Sequence, residues 1–334
     1  MKGRLHDWAP AFALSLGLRI TLCACGFAAA CAAGTPPAEE AVEETELRLR
    51  GPLLAHVPHG ARYVGRLEPA RLWSEPAVRR TVQPLIRPGG LEAFENRTGV
   101  PLLEIEEAVF ARFGERGFLW LLRLPERVPA ADVVVANAQR MAPVEVSSDA
   151  PFVRRVGVFG SGRRELVALA PRLLLVSGEA GPAVAELLAA VRRGDAAFGL
   201  DGPGRELAGE WARAPALLLS PAPLPLDRSQ GIGLVLARHE AAALRVDPEP
   251  DALSLRVAIR GELPPGAEAN FRTWMHAMAA SDLGRTLGLE AALPSYRAAL
   301  DEAGAELRVV VPAEGLAAGL RLLFTAELRE IFGA

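Results

Sequence analysis

The chain has 334 residues, of which 37 are lysine or arginine and 40 are aspartate or glutamate, so its formal net charge is −3. Half of the residues are hydrophobic, which suits a folded protein and excludes a disordered one. Lysine occurs only at position 2, and the three cysteines are Cys23, Cys25 and Cys31. A mildly acidic chain has no electrostatic footprint for nucleic acid, so nucleic-acid binding is excluded as a function class.

The N-terminal segment has the pattern of a signal peptide. Lys2 and Arg4 form a short basic region, and residues 8–30 are almost wholly apolar apart from Arg19. A membrane-spanning helix needs about 20 apolar residues with few charges, whereas Arg19 divides this run into pieces of about ten. The pattern therefore predicts a signal peptide over residues 1–30.

The end of this segment, Gly-Phe-Ala-Ala-Ala-Cys at residues 26–31, resembles the lipobox of bacterial lipoproteins. The resemblance implies that Cys31 carries a diacylglyceryl group and becomes the mature N-terminus. Cys25, which follows a leucine by three residues, is a rival site, and ordinary cleavage with the cysteines as apolar fillers is a third alternative. In this family an aspartate after the cysteine favours the inner membrane. Ala32 therefore implies the periplasmic face of the cell envelope, with the outer membrane favoured over the inner.

Residues 31–50 are predicted to be a lipidated N-terminus followed by an acidic, proline-containing tether. Five glutamates lie between residues 39 and 46, and two prolines, Pro36 and Pro37, lie just before them. This composition, with few large apolar side chains, is typical of a solvated linker. The remaining residues, 51–334, are predicted to form the folded domain.

The first half of that domain alternates strand and helix signals. Apolar runs between turn residues predict strands at Tyr63–Leu67, Gly117–Leu124, Phe152–Phe159, Glu165–Ala170 and Arg172–Ser177. Helical spacing of apolar residues predicts helices at residues 76–86, Leu102–Phe113, Ala130–Met141 and Gly181–Arg192. Gly160-Ser161-Gly162 is predicted to be a hairpin turn rather than a nucleotide-binding loop, because the third glycine of that motif is missing.

The second half repeats this alternation. Strands are predicted at Ala216–Leu219, Gly233–Ala237, Ala242–Val246, Leu253–Ile259 and Leu307–Val311, and helices at Glu268–Met278, Ser295–Ala303 and Glu314–Ile331. Runs of adjacent strands separated by helices favour an α+β fold with antiparallel or mixed sheets packed with helices. Because each half ends in a strand and a long helix, two similar β-rich/α halves are possible, 51–200 and 201–334.

One short stretch resembles other bacterial proteins. Residues 57–64 and 72–76 are similar to the start of some uncharacterised extracytoplasmic bacterial domains. This resemblance implies an extracytoplasmic location and carries no activity with it.

The composition argues against several kinds of catalysis. After removal of residues 1–30 no lysine remains, which excludes Schiff-base chemistry and a P-loop. The cysteine that remains is predicted to be acylated, which excludes a thiol nucleophile and thiolate metal sites. His56 and His59 are separated by Pro58 and are expected in a loop rather than in a metal pair. The sequence therefore predicts no catalytic, cofactor-binding or metal-binding residues.

These observations predict a membrane-anchored extracytoplasmic lipoprotein that acts as a non-enzymatic binding or assembly module of the cell envelope. Its partner would be an unknown envelope protein or an apolar ligand. The alternatives are a carrier or sensor for an apolar ligand such as a lipid, and a periplasmic acid/base hydrolase. A carrier needs an apolar pocket of roughly 300–1,000 Å³. A hydrolase needs convergent carboxylates or histidines in a cleft with shifted pKa values, and an assembly module should show an exposed apolar patch.

Overall fold

The computed structural model describes residues 51–142, 144–147, 152–159, 162–195, 199–224 and 231–321. The signal peptide, the attachment sites Cys31 and Cys25, the tether and the end of the last predicted helix lie outside these residues. So do Gly160 and Ser161 of the predicted hairpin turn. Within the described ranges, twelve strands form one sheet in which every neighbouring pair is antiparallel, and helices pack against it. The predicted α+β class is confirmed.

The strands are β1 (Tyr63–Leu67), β2 (Glu107–Phe113), β3 (Gly117–Arg123), β4 (Val144–Ser147), β5 (Val153–Phe159), β6 (Gly162–Ala170), β7 (Leu173–Gly178), β8 (Ala216–Ser220), β9 (His239–Pro248), β10 (Ala252–Gly261), β11 (Arg297–Asp301) and β12 (Gly304–Pro312). The helices are α1 (Pro69–Ser74), α2 (Pro76–Val82), α3 (Gly90–Thr98), α4 (Ala130–Ala138), α5 (Gly181–Arg193), α6 (Gly202–Glu210), α7 (Gly231–Val235), α8 (Ala267–Ala280), α9 (Asp282–Thr286), α10 (Leu289–Ala292) and α11 (residues 313–321). Most of the predicted strands and helices are confirmed within a few residues.

Hydrogen bonds join the strands in the order β11-β12-β10-β9-β8-β1-β2-β3-β7-β6-β5-β4. The connectivity repeats on the two sides of the central β1–β8 pair. Each side has a first hairpin (β2–β3 or β9–β10), a helix (α4 or α8), a second hairpin whose last strand lies beside the first hairpin (β6–β7 or β11–β12), and a closing helix (α5 or α11). The two sides share one sheet because β1 pairs with β8. That residues 51–200 and 201–334 fold as separate halves stays a prediction.

Both faces of the sheet are covered in the first half. In β2, Val109 belongs to the cluster under α5 and α6, and the next residue, Phe110, belongs to the cluster under α3 and α4. In β3, Leu121 belongs to the first of these clusters and Trp120 to the second, because successive strand residues point to opposite faces. Burial on both faces explains why these strands are continuous apolar runs rather than alternating ones.

The second half has two further apolar clusters, which lie side by side on one face of the sheet, because the residues that β10 and β12 contribute to them are an even number of positions apart. One unites Phe271 of α8 with Ile259 of β10 and Leu307 of β12. The other unites Leu253 of β10 and Val311 of β12 with residues of α2, α9, α10 and α11. The helix that carries Phe271 is therefore fastened to the outer strands of the sheet. On the other face, Ala258 of β10 belongs to the cluster under α5 and α6.

The predicted helix at Leu102–Phe113 is wrong. A short 3-10 turn spans Leu102–Glu104, and β2 follows from Glu107 to Phe113. The prediction depended on apolar residues four positions apart, but a spacing of four is also an even number and so fits one face of a strand. The burial of four consecutive residues, 108–111, is what a strand covered on both faces requires.

Two further predicted elements are wrong. Gly233–Ala237 is not a strand, because helix α7 occupies Gly231–Val235. A short apolar run is compatible with either a strand or a buried helix, so the sequence pattern could not distinguish them. Ser295–Ala303 is not a helix, because β11 pairs along its whole length with β12. The β11–β12 turn is held by Asp301, whose Oδ1 accepts hydrogen bonds from the N–H groups of Ala303 and Gly304 at 2.9 Å.

Candidate functional site

Helix α8 and strand β11 form the two sides of an open recess at one end of the sheet. The chain enters α8 through Gly266, whose φ of 79° is a conformation that favours glycine. Phe271 and Met275 lie one turn apart on the buried side of the helix. The exposed side carries Glu268 and Arg272, joined by a hydrogen bond of 3.0 Å from Arg272 Nη2 to Glu268 Oε1.

Strand β11 is an edge of the sheet. Among the described strands it pairs only with β12, so its other side has main-chain N–H and C=O groups without a strand partner. Ala298 lies opposite Leu307, and Leu300 lies opposite Ala305, which places both on the face covered by α8. Leu300 is 38% exposed, which is unusual for a large apolar side chain in this fold.

The recess between these elements has a volume of about 350 Å³. It is open to solvent. Its wall on the α8 side is polar, and its wall on the β11 side mixes apolar, aromatic and charged side chains. The lining side chains are Glu268, Arg272, His276, Leu293, Tyr296, Arg297 and Ala298. Its size and position suit one or two side chains of an extended partner.

The recess carries an excess of positive charge. Arg272 is paired with Glu268, whereas Arg297 Nη1 donates to two main-chain carbonyls, Pro294 O at 3.0 Å and Tyr296 O at 2.7 Å. No carboxylate of the described residues lies within ion-pair distance of Arg297, and its side chain is exposed. The two arginines and one carboxylate that line the recess therefore sum to one positive charge.

Tyr296 adds a hydrogen-bond donor. Its Oη is buried and has no hydrogen-bond partner in the part of the chain that the structure describes. Burial raises the pKa of the Tyr296 phenol, so the hydroxyl keeps its proton at neutral pH. A buried donor without a partner costs free energy, and a ligand acceptor reaching this hydroxyl would remove that cost.

A second group of charged residues lies at the centre of the sheet, under the first residues of the described domain. Arg66 of β1 donates from Nε to Glu107 Oε1 at 2.8 Å, from Nη1 to Ala214 O at 2.7 Å and from Nη2 to Glu68 Oε1 at 2.5 Å. Glu107 Oε1 also accepts the Leu53 N–H at 3.2 Å. Arg66 and Glu107 are each 7% exposed. This Arg66–Glu107 cluster joins the N-terminal segment to β1 and β2. Its charges are paired with one another and with two arginines at its margin, Arg71 beside Glu68 and Arg123 beside Glu107.

The structure separates the two histidines that lie three residues apart. His56 is 4% exposed, and burial together with the positive charge of Arg123 lowers its pKa. His59 is exposed, and its Nδ1 lies 2.5 Å from Glu186 Oε1, a hydrogen bond that raises its pKa. Over the described ranges no three His, Cys, Asp or Glu side chains are grouped so as to hold a metal ion.

A small apolar cavity lies between the sheet and helices α3 and α4. Its volume is about 60 Å³, which suffices for a few water molecules and is well below the roughly 300 Å³ of a ligand pocket. Two lining residues, Trp120 and Asn137, have buried polar atoms, Nε1 and Oδ1, without a hydrogen-bond partner among the described residues. Asn137 Nδ2 donates to Thr98 O and Val133 O, so this residue links α4 to the end of α3.

The recess could not be found from the sequence, because Tyr296 and Arg297 fall in a segment that was predicted to be a helix. A helix at this position would not have formed an edge of the sheet. The signal that points to a hairpin is Asp301-Glu302-Ala303-Gly304, in which an aspartate and a glycine are placed as in a turn. Only the strand order brings α8 beside this strand.

No family model matches this chain, and no curated protein is similar to it. Among solved structures, two crystal forms of TP0453, a Treponema lipoprotein, are similar at 11% identity. Form I has a TM-score of 0.46 and covers 83% of this chain and 99% of its own; form III has 0.47, 81% and 97%. Likeness at this level says nothing about function. In the described ranges no helix is long and apolar enough to cross a membrane.

Proposed function

We propose that this chain is a lipid-anchored extracytoplasmic protein of the bacterial cell envelope that works as a non-enzymatic binding or assembly module. The observation that carries the proposal is the unpaired edge of β11 beside the α8 recess. A free strand edge binds another extended segment through main-chain hydrogen bonds, and a neighbouring recess selects its alternate side chains.

The proposed anchor is compatible with this role. Arg123 Nη2 donates to Gly51 O at 2.7 Å, which ties the start of the described domain to the end of β3. Gly51 follows Cys31 by 20 residues, a distance of at most about 70 Å if the chain is fully extended. One acyl chain binds a membrane only marginally, whereas several bind it stably. A multiply acylated Cys31 would therefore hold the domain near its partners without fixing its orientation.

The two alternatives have less support. A carrier for an apolar ligand would need the 60 Å³ cavity under α3 and α4 to enlarge severalfold. A hydrolase would need carboxylates that are free to act as acid or base, whereas the buried Glu107 is held by Arg66 and by the Leu53 N–H. Both alternatives stay predictions.

The anchor is tested with two matched variants, Cys31→Ala and Cys25→Ala, in cells labelled with a radioactive fatty acid. We expect Cys31→Ala to lose the label and to leave the membrane fraction, and Cys25→Ala to keep both. A Cys31→Ala protein that stays membrane-bound with unchanged electrophoretic mobility would contradict lipidation at this site.

The binding role is tested by purifying the tagged chain from detergent-solubilised envelope and identifying the proteins and lipids that come with it. The proposal expects protein partners in stoichiometric amounts. One lipid molecule per chain and no protein would instead favour the carrier.

A further inference from the structure

We propose that the occupant of the β11 edge is β11 of a second copy of this chain, paired antiparallel about Ala299. The inference deepens the assembly role and rests on it, because it names the first partner. It depends on three observations: the unpaired edge, the self-complementary sequence of the strand, and an exposed leucine, Leu300, on the same face as Ala298, which lines the recess.

The sequence of β11 is complementary to itself. It reads Arg297-Ala298-Ala299-Leu300-Asp301, with opposite charges at its two ends and small or apolar residues between them. In an antiparallel pair centred on Ala299, Arg297 lies opposite Asp301 of the partner subunit, and this happens twice. Opposite charges placed across two strands stabilise the pair, whereas like charges destabilise it.

The charged groups have atoms free for this contact. Asp301 uses Oδ1 to hold its own turn, and its other carboxylate oxygen, Oδ2, has no hydrogen-bond or ion-pair partner among the described residues. Within the described ranges, Arg297 donates only from Nη1. Within its own sheet Arg297 lies opposite Arg308, a juxtaposition of like charges. A carboxylate arriving at the free edge would therefore be attracted by Arg297 without breaking an existing bond.

The apolar side chains complete the match. Directly opposite residues of paired strands share a face, so Leu300 of the partner subunit would lie beside Ala298, on the side of the sheet that α8 covers. Ala298 lines the recess and is small, which leaves room for a leucine there. Pairing would bury the exposed Leu300 of both copies.

The resulting interface is isologous. The same five residues act on both sides of a twofold axis at Ala299, so the assembly closes as a dimer. An extended segment of a different protein is the competing occupant. It would gain the same main-chain hydrogen bonds, but the charge pattern of β11 favours a second copy.

The first experiment uses charge reversal in the full-length chain, solubilised in detergent and studied by sedimentation equilibrium. We expect Arg297→Asp and Asp301→Arg each to raise the dissociation constant of the dimer by about tenfold or more, because each variant faces itself with like charges. An equimolar mixture of the two should form heterodimers with an affinity near that of the unsubstituted chain. Circular dichroism checks that each variant folds, since Asp301 also holds the turn.

The second experiment is independent of the charges. In the proposed register the two Ala299 residues face each other, and facing Cα atoms of antiparallel strands are about 4.5–5.5 Å apart, within the range of a disulfide. We expect Ala299→Cys to form a disulfide-linked dimer under mild oxidation. The controls are the unsubstituted chain, which reports on the native cysteines, and Ala277→Cys on the exposed side of α8.

Three outcomes would overturn the inference: a monomer at all concentrations, a dimer that resists both charge reversals, or a dimer in which Ala299→Cys fails to cross-link. So would cross-linking of Ala299→Cys to a different protein, which points to a heterologous segment. In each case the proposed binding function survives if the chain still captures an envelope partner. If the β11 dimer forms but the chain captures no envelope partner, the self-pairing is supported and the proposed binding function in the envelope is rejected.

Discussion

The Arg66–Glu107 cluster and the α8–β11 recess both contain arginines and carboxylates, and they use them in opposite ways. At the centre of the sheet, Arg66 donates hydrogen bonds from three nitrogens, and Glu107 accepts one from the main chain of the N-terminal segment. At the edge, the hydrogen bonds that Arg297 makes to described residues all go to main-chain carbonyls just before it in the chain, and its side chain is exposed.

This difference separates stability from recognition. A buried ion pair loses hydration and must be fully paired, so removal of one partner leaves a costly buried charge. An exposed charge beside an open recess stays hydrated and contributes little to folding, so it is available to a partner. Substitutions at the centre should therefore change unfolding, whereas substitutions at the edge should change association.

The largest effect is expected at the centre. Glu107→Gln keeps the size of the side chain and removes its charge, which leaves Arg66 buried with only Glu68 as an adjacent carboxylate. We expect the free energy of unfolding to fall by about 3 kcal/mol. Urea unfolding monitored by circular dichroism measures the change.

The matched control for that variant is Glu206→Gln, at an exposed position of α6. Its effect should stay within about 0.5 kcal/mol, because surface substitutions away from special features change stability little. If Glu107→Gln cost no more than Glu206→Gln, the central cluster would not be a structural element.

An intermediate effect on stability is expected from the titration of His56, which lies next to the central cluster. The pKa of His56 is lowered in the folded protein, so the unfolded chain binds more protons and stability falls as the pH decreases below about 6.5. His56→Leu should flatten this loss. Free energies of unfolding measured between pH 5 and pH 8 give the pH dependence of stability for the unsubstituted chain and for His56→Leu.

His59 provides a control of opposite sign. Its hydrogen bond to Glu186 raises its pKa, so its contribution is present at low pH and is lost as the pH rises through the folded pKa. His59→Asn should therefore make the acid loss slightly steeper, by a small amount because the pair is exposed to solvent. An equal response of the two variants would contradict the assignment of buried and exposed histidines.

The smallest effect on stability is expected at the recess. In the monomer, Arg272→Gln and Arg297→Gln should each change the free energy of unfolding by no more than about 0.5 kcal/mol, since both side chains are exposed. Thermal and urea unfolding check this. A loss near that of Glu107→Gln would show that the recess supports the fold, and the contrast between the two regions would be wrong.

Much of the fold could be predicted from local sequence. Strand β1 was predicted at its observed limits, Tyr63–Leu67, because a short apolar run is bounded by turn residues. Helix α8 was predicted from apolar residues that recur every three or four positions. The predictions were wrong where one spacing of apolar residues fits both a helix and a strand, as in β2. They were also wrong where residues with a preference for helix form a strand of the sheet, as in β11.

The candidate site was less accessible to prediction. Arg272 and His276 lie on a helix that was predicted, but nothing in their spacing indicates which strand that helix covers. Tyr296 and Arg297 were predicted in a helix of their own. The recess exists because β11 pairs with β12 and thereby comes to lie under α8, which is a long-range contact without a local signature.

The sequence by itself determined the composition of the domain, the α+β class and the prediction of an acylated Cys31, because these depend on residue type and short-range spacing. The tertiary structure decided which charges are buried and which are free. Burial depends on strand order, and strand order joins residues far apart in the chain, such as Arg66 with Ala214. For the same reason, only the folded sheet shows that Arg297 and Asp301 stand at an unpaired edge.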